Sequence, residues 1–109
     1  MGTNYYAVRK EPSVNNREIH LGKSSIGWLF NFQEHDDIRT FPQFCRWLED
    51  NVDTGEWVIL DEYDHLVTKE ELLELIERKK NDAHCKNNPD NFIYSKNIDG
   101  YRFTDREFS

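Results

Sequence analysis

The run His20-Leu21-Gly22-Lys23-Ser24-Ser25 places a lysine, two hydroxyls and a glycine where a phosphate could be held. Gly22, Lys23 and Ser24 resemble the end of a phosphate-binding loop. A full P-loop needs a glycine five residues before Gly22, and position 17 is Arg17. A helix should follow it, whereas an alternating apolar segment does. Nucleotide hydrolysis by this route is therefore rejected. A tight turn with Lys23, Ser24 and Ser25 could still bind a phosphate or carboxylate through side chains and backbone N–H groups. The rings of Tyr5, Tyr6 and Trp28 could stack on a base beside it, with His20 at its edge. The alternative is an ordinary turn between two strands.

A second set is acidic. His35-Asp36-Asp37 and Asp61-Glu62-Tyr63-Asp64-His65 contain metal-ligand residue types, but neither carries a two-histidine helical spacing. No metal and no cofactor is expected. No Ser-His-Asp or Cys-His arrangement can be assembled, which points away from an enzyme. Trp47 lies beside an apolar helical stripe, either a core edge or an interaction anchor. Trp28 and Trp57 fall in apolar runs and suit a core.

These residues need elements to hold them. Residues 4–10 are strand formers, and residues 11–16 carry Pro12, Ser13, Asn15 and Asn16, which are turn residues. Residues 17–22 alternate as a half-buried strand, closed by a polar turn at Gly22–Ser25. Residues 26–33 alternate again, with Ile26, Trp28, Phe30 and Phe32 on one face. After a charged loop at 34–39, Thr40 and Gln43 have capping-box spacing. Phe41, Phe44, Cys45, Leu48 and Val52 then form one helical face, ended by Asp53-Thr54-Gly55. Residues 56–60 suit a buried strand and Asp61–His65 a turn. Thr68 opens a second helix with Glu71 at N3, a Val67/Leu72 staple and a basic end at Arg78, Lys79 and Lys80. Residues 81–91 suggest a polar loop. Phe92-Ile93-Tyr94 restarts a strand, and Asp99-Gly100 turns it into Tyr101-Arg102-Phe103. The predicted order is β-β-β-α-β-α-β-β, an α+β fold with two helices on a mostly antiparallel sheet.

Length suits one domain, 1–109. Aromatic residues at 14% argue against disorder despite 32% charged residues. No apolar run approaches the roughly 20 residues of a membrane span. The N-terminus lacks a signal-peptide pattern, and Tyr6 breaks the myristoylation pattern. Cys45, on the helical stripe, suits a buried thiol, and Cys85 a loop thiol in a reducing cytoplasm. The net charge is −7 and unevenly spread. Residues 1–30 hold four basic and two acidic groups, residues 31–80 six and fourteen, and residues 81–109 four and five. Acidity thus concentrates in the middle. That excludes non-specific nucleic-acid binding and suits a basic partner.

Several segments together look familiar: Met1-Gly2-Thr3-Asn4-Tyr5-Tyr6, Ile19-His20-Leu21-Gly22-Lys23-Ser24-Ser25 with Gly27-Trp28, and Asp61-Glu62-Tyr63 before Glu70-Glu71-Leu72. The ending Asp99-Gly100-Tyr101, Phe103 and Glu107-Phe108-Ser109 completes the set. The chain resembles a family of small uncharacterised bacteriophage proteins over nearly its whole length. Many members carry a Cys-x-x-Cys pair after the first strand, which residues 11–16 lack here. The resemblance implies phage origin and a host-cytoplasmic setting. Two binding roles follow as expectations. The first is a counter-defence inhibitor, anti-CRISPR-like, that mimics nucleic acid with Asp36, Asp37, Glu49, Asp50, Asp61, Glu62 and Asp64, with Trp47 as anchor. The second is a protein that sequesters a nucleotide signal at Tyr5, Tyr6, His20, Lys23, Ser24, Ser25 and Trp28. The expected partner is a host defence or nucleic-acid-processing protein, with no membrane; a homodimer is left open.

Overall fold

Alternating apolar residues build a mixed sheet, and two capped amphipathic helices bury their apolar stripes against it. The computed structural model describes residues 2–10 and 18–106. The strands are β1 (Gly2–Arg9), β2 (Glu18–Ser25), β3 (Asn31–Gln33), β4 (Trp57–Asp61), β5 (Leu66–Val67), β6 (Lys96–Ile98) and β7 (Tyr101–Thr104). The helices are α1 (Phe41–Asn51), α2 (Lys69–Asn81) and α3 (Ala83–Lys86). The sheet order is β5-β4-β1-β2-β3-β7-β6. Among the described residues, only the β3–β7 pair is parallel. This is the α+β, mostly antiparallel class expected. The expected turn at 11–16 and Arg17 lie outside the described residues.

Ala7, fully buried, pairs with Ile19 on one side and Ile59 on the other, which fixes the core face of the central strands. Phe32, Phe103, Leu21 and Phe30 join that face, and Phe44, Trp47, Leu48, Leu72 and Ile76 of α1 and α2 close over it. Asn4, Tyr6 and Val8 alternate with Tyr5 and Ala7, so they point to the opposite face. α2 starts with the full capping box, and α1 with half of it, because the Gln43 side chain accepts from Arg39 N–H instead of Thr40 N–H. Thr40 accepts from Gln43 N–H at 3.3 Å, and Thr68 and Glu71 form a reciprocal capping box.

Four expectations need correction. First, Gly22–Ser25 is strand, not turn. It pairs in register with β1, Tyr5 opposite Gly22 and Gly2 opposite Ser25, with a bulge between Tyr5 and Tyr6. Pairing with an eight-residue β1 outweighs local turn propensity. The chain turns instead at Ile26–Trp28, where Lys79 Nζ donates to the carbonyls of Ser25 and Trp28. Second, the strand expected over 26–33 contracts to Asn31–Gln33. Ile26 is 94% exposed, so the alternation there has no buried face to serve. Third, the polar loop 81–91 contains α3. Asp82 caps it by accepting from His84 and Cys85 N–H at 2.8 and 3.2 Å. Asn91, fully buried, accepts from Leu29 N–H at 3.1 Å and donates to the Cys85 carbonyl at 2.6 Å. Polar residues here bracket the backbone instead of solvating it. Cys85 is consequently buried and Cys45 only half-buried, the reverse of the expected pair. Fourth, Phe92–Tyr94 is irregular, with Ile93 and Tyr94 exposed, and the strand begins at Lys96. The hairpin turn stands where expected. Asp99 and Gly100 both have left-handed φ, 56° and 86°, as a type I′ turn requires.

Candidate binding cleft

The sequence His35-Asp36-Asp37-Ile38 closes on itself as a tight turn. His35 N–H donates to the Ile38 carbonyl at 3.0 Å, and Ile38 N–H returns the bond at 3.1 Å. His35 Nε2 also bonds the His20 carbonyl at 2.7 Å, which ties the turn to β2. Ile38 is buried and drags the turn down, leaving the Asp36 and Asp37 carboxylates exposed at its tip. Trp47 of α1 and Trp57 of β4 meet edge to face beside it, with centroids 5.4 Å apart.

Together these elements enclose a cleft of about 400 Å³. Trp47, Trp57, Ile19 and Ile38 supply apolar lining, and Glu18, Asp36, Asp37 and His35 supply polar lining. Two of the chain's own arginines stand at it. The Arg9 guanidinium lies over the Trp57 ring, 5.7 Å from its centroid, within the range of a cation–π contact. Arg39 Nη2 lies 3.8 Å from Asp36 Oδ1, with both side chains exposed. Such a pair is weak in water.

The cleft unites three of the eight expected partner-binding residues: Asp36, Asp37 and Trp47. Asp50 is exposed one helical turn beyond Trp47. Glu49 stands on another side of α1, near Cys45 and Lys69. The Cys45 thiol is pushed up by burial and then by Glu49, with Lys69 opposing, so it is a poor nucleophile.

Asp61, Glu62 and Asp64 lie at the opposite end of β4 from Trp57 and have local structural work. Asp61 Oδ1 accepts from Tyr63 and His65 N–H at 2.8 and 2.9 Å. Glu62 Oε1 accepts from Asn4 N–H at 2.9 Å. Asp64 takes a left-handed φ of 63° in the same turn. Partial burial alone would raise the Asp61 pKa, but the His65 and Tyr63 N–H groups and the His65 ring outweigh it and hold the carboxyl below its ordinary value. A depressed folded-state pKa stabilises the fold above the unfolded value, about 3.9. That contribution is lost as pH falls through the lower folded value. Protection of the Tyr63 and His65 amides, measured against their intrinsic exchange rates, should therefore persist down to the ordinary aspartate value and be lost only below it. A midpoint at or above the ordinary aspartate value would show that these bonds do not favour the charged carboxylate.

The expected nucleotide-binding set is divided. Tyr5 sits on the core face, 6.0 Å from the Phe30 ring. Ser24 alternates to the same side as Tyr5, while Lys23 and Ser25 face the other way, alongside Tyr6 and His20. The Tyr6 and His20 rings lie 5.1 Å apart, and His20 Nε2 bonds Asn4 Oδ1 at 2.9 Å. Burial raises the Tyr6 pKa, with Glu18 and Glu62 adding to it. Trp28 lies under the Arg102 guanidinium at 4.7 Å. Because Gly22–Ser25 is strand, its N–H groups do not converge as an anion-binding turn would require. Arg102, not anticipated from sequence, is half-buried and donates from Nε to Ser95 Oγ at 3.0 Å. Burial lowers its pKa.

Among the described residues, no three His, Cys, Asp or Glu side chains converge to hold a metal. Among the same residues, no helix is long and apolar enough to cross a membrane. No protein-family model, curated protein or solved structure matches the chain.

Proposed function

We propose that this protein acts by binding, as a phage-encoded counter-defence inhibitor that works in the host cytoplasm. Its acidic face occupies the basic nucleic-acid channel of a host effector and so excludes the nucleic acid. The observation that supports this reading is the cleft. An exposed carboxylate rim over a tryptophan floor offers both parts of a protein interface, a charged border and an aromatic anchor. Fourteen acidic against six basic groups in residues 31–80 extend the negative field around it.

The test is affinity capture from host lysate, followed by a salt titration with the purified partner. The partner should be basic and nucleic-acid-processing. Affinity should fall at least about tenfold between about 0.1 M and 1 M salt, as the Debye length shrinks from about 10 Å to 3 Å. Binding that ignores salt would overturn the mimicry. Competition by a short DNA or RNA duplex for the same partner should be complete, because both ligands claim one channel.

A further inference from the structure

The geometry points to one occupant for the cleft between the 35–38 turn, α1 and the start of β4: a single arginine side chain presented by the protein partner. This rests on the binding reading above and names the chemistry at its centre.

The lining selects for a cation with a flat apolar face. Trp47 and Trp57 supply indole surfaces at 5.4 Å from each other, and Ile19 and Ile38 supply aliphatic walls. Glu18, Asp36 and Asp37, all exposed, put three acidic residues at the rim of the cleft. A guanidinium satisfies both demands at once. Its plane stacks on an indole, it is weakly hydrated, and its N–H fork pairs with carboxylates. An ammonium is more strongly hydrated and has no face to stack. An anion is repelled by the rim, and a purely apolar group would leave its acidic residues without a counter-charge.

The chain's own arginines make both kinds of contact at the cleft's edge. Arg9 lies over Trp57, and Arg39 approaches Asp36. Both guanidinium groups stop at the edge of the cleft, and neither Arg9 nor Arg39 is among its lining residues. The Arg39 contact, 3.8 Å and exposed, is easily exchanged for a better one. A volume of about 400 Å³ is at the small end for a ligand pocket. A free guanidinium compound would lose its translational freedom for few contacts, whereas a side chain on a docked partner has already lost it.

The probe is the capped tripeptide acetyl-Gly-Arg-Gly-amide, titrated into the full chain with ¹⁵N-edited NMR. Saturable shifts should appear at the Trp47 and Trp57 indole N–H signals and at the amides of residues 35–38. A dissociation constant on the order of 1 mM is expected for one side chain. The lysine tripeptide should bind about threefold or more weakly, and the neutral citrulline tripeptide should give no saturable shift. The double variant Asp36→Asn with Asp37→Asn removes two exposed charges without touching the core, and should weaken the arginine probe roughly fivefold to tenfold. Equal binding of arginine and citrulline probes, no saturation, or an unchanged double variant would each overturn the assignment. Failure here is separable from failure of the function. A salt-sensitive partner that binds the double variant normally removes the arginine and keeps the mimicry. A salt-insensitive partner removes the mimicry, whatever the tripeptide does.

Discussion

Phe32→Ala should lower the stability of this protein by about 4 kcal/mol. Phe32 is fully buried in the middle of β3. Its ring stacks on Phe103 at 4.7 Å and meets Phe44 at 4.9 Å, Phe30 at 4.8 Å, and Phe41 and Tyr101 at 5.9 Å, all edge to face. Five rings from β7, α1 and the segment before β3 therefore share one neighbour. Its removal leaves a cavity that none of them can fill without leaving its other contacts. The position is also the seam where antiparallel β2 gives way to parallel β7. Domains of this size are stable by only about 5–15 kcal/mol, so the variant should be close to the unfolding threshold at 37 °C. Urea denaturation of both proteins measures it: the midpoint should drop while the slope stays the same. A loss below about 1.5 kcal/mol would mean that the aromatic cluster relaxes into the space.

Much of the fold was legible because its signals are local. Thr40 and Thr68 sit three residues before Gln43 and Glu71, and each caps its helix. Phe44 and Leu48 on one stripe, Leu72 and Ile76 on the other, are buried as their spacing demands. Asp99-Gly100 requires left-handed φ at both positions and obtains it. The errors occur where distant pairing decides. Residues 22–25 have turn chemistry, yet β1 lies alongside and takes them into the sheet. Ile26 and Trp28 continue an alternation that Phe30 and Phe32 alone obey. The parallel β3–β7 pair joins segments some seventy residues apart, which no local pattern records. Asn91 and Asp82 looked like solvated loop residues and are instead the brackets of α3.

The cleft was half legible. Asp36, Asp37 and Trp47 were visible as exposed charges and as a ring beside the helical stripe. Trp57 reads only as core in the sequence, because a residue in an apolar run gives no sign of standing at the strand's mouth. Arg9 ends β1 and Glu18 starts β2, and neither belongs to any motif. Conversely, Asp61 and Glu62 have the composition of a functional cluster, but one oxygen of each, Asp61 Oδ1 and Glu62 Oε1, accepts from Tyr63 and His65 N–H and from Asn4 N–H. Composition registers a carboxylate, not whether a backbone N–H already owns it. The same limit applies to the Gly-Lys-Ser-Ser run, where residue types were right for an anion and the backbone conformation was not.

Gly22→Ala tests that conformation directly and should cost about 3 kcal/mol. A Cβ at this position would stand 2.4 Å from Phe30 Cε2 and 2.5 Å from the Asn31 carbonyl oxygen. Neither neighbour can yield cheaply. Phe30 is 2% exposed and wedged between Tyr5 and Phe32, and the Asn31 oxygen belongs to the β2–β3 ladder. Gly22 is thus required for space and not for a turn. Gly55→Ala provides the contrast. Its φ is 85° and nothing lies within 4 Å of its Cβ, so only left-handed backbone strain of about 1 kcal/mol is added. If Gly22–Ser25 formed a solvent-facing anion loop, alanine at 22 would be the milder change of the two. In a strand pressed against Phe30, it must be the more severe. Thermal unfolding of the two variants side by side decides between these orders, and a Gly22→Ala protein as stable as Gly55→Ala would remove β2 from the register described here.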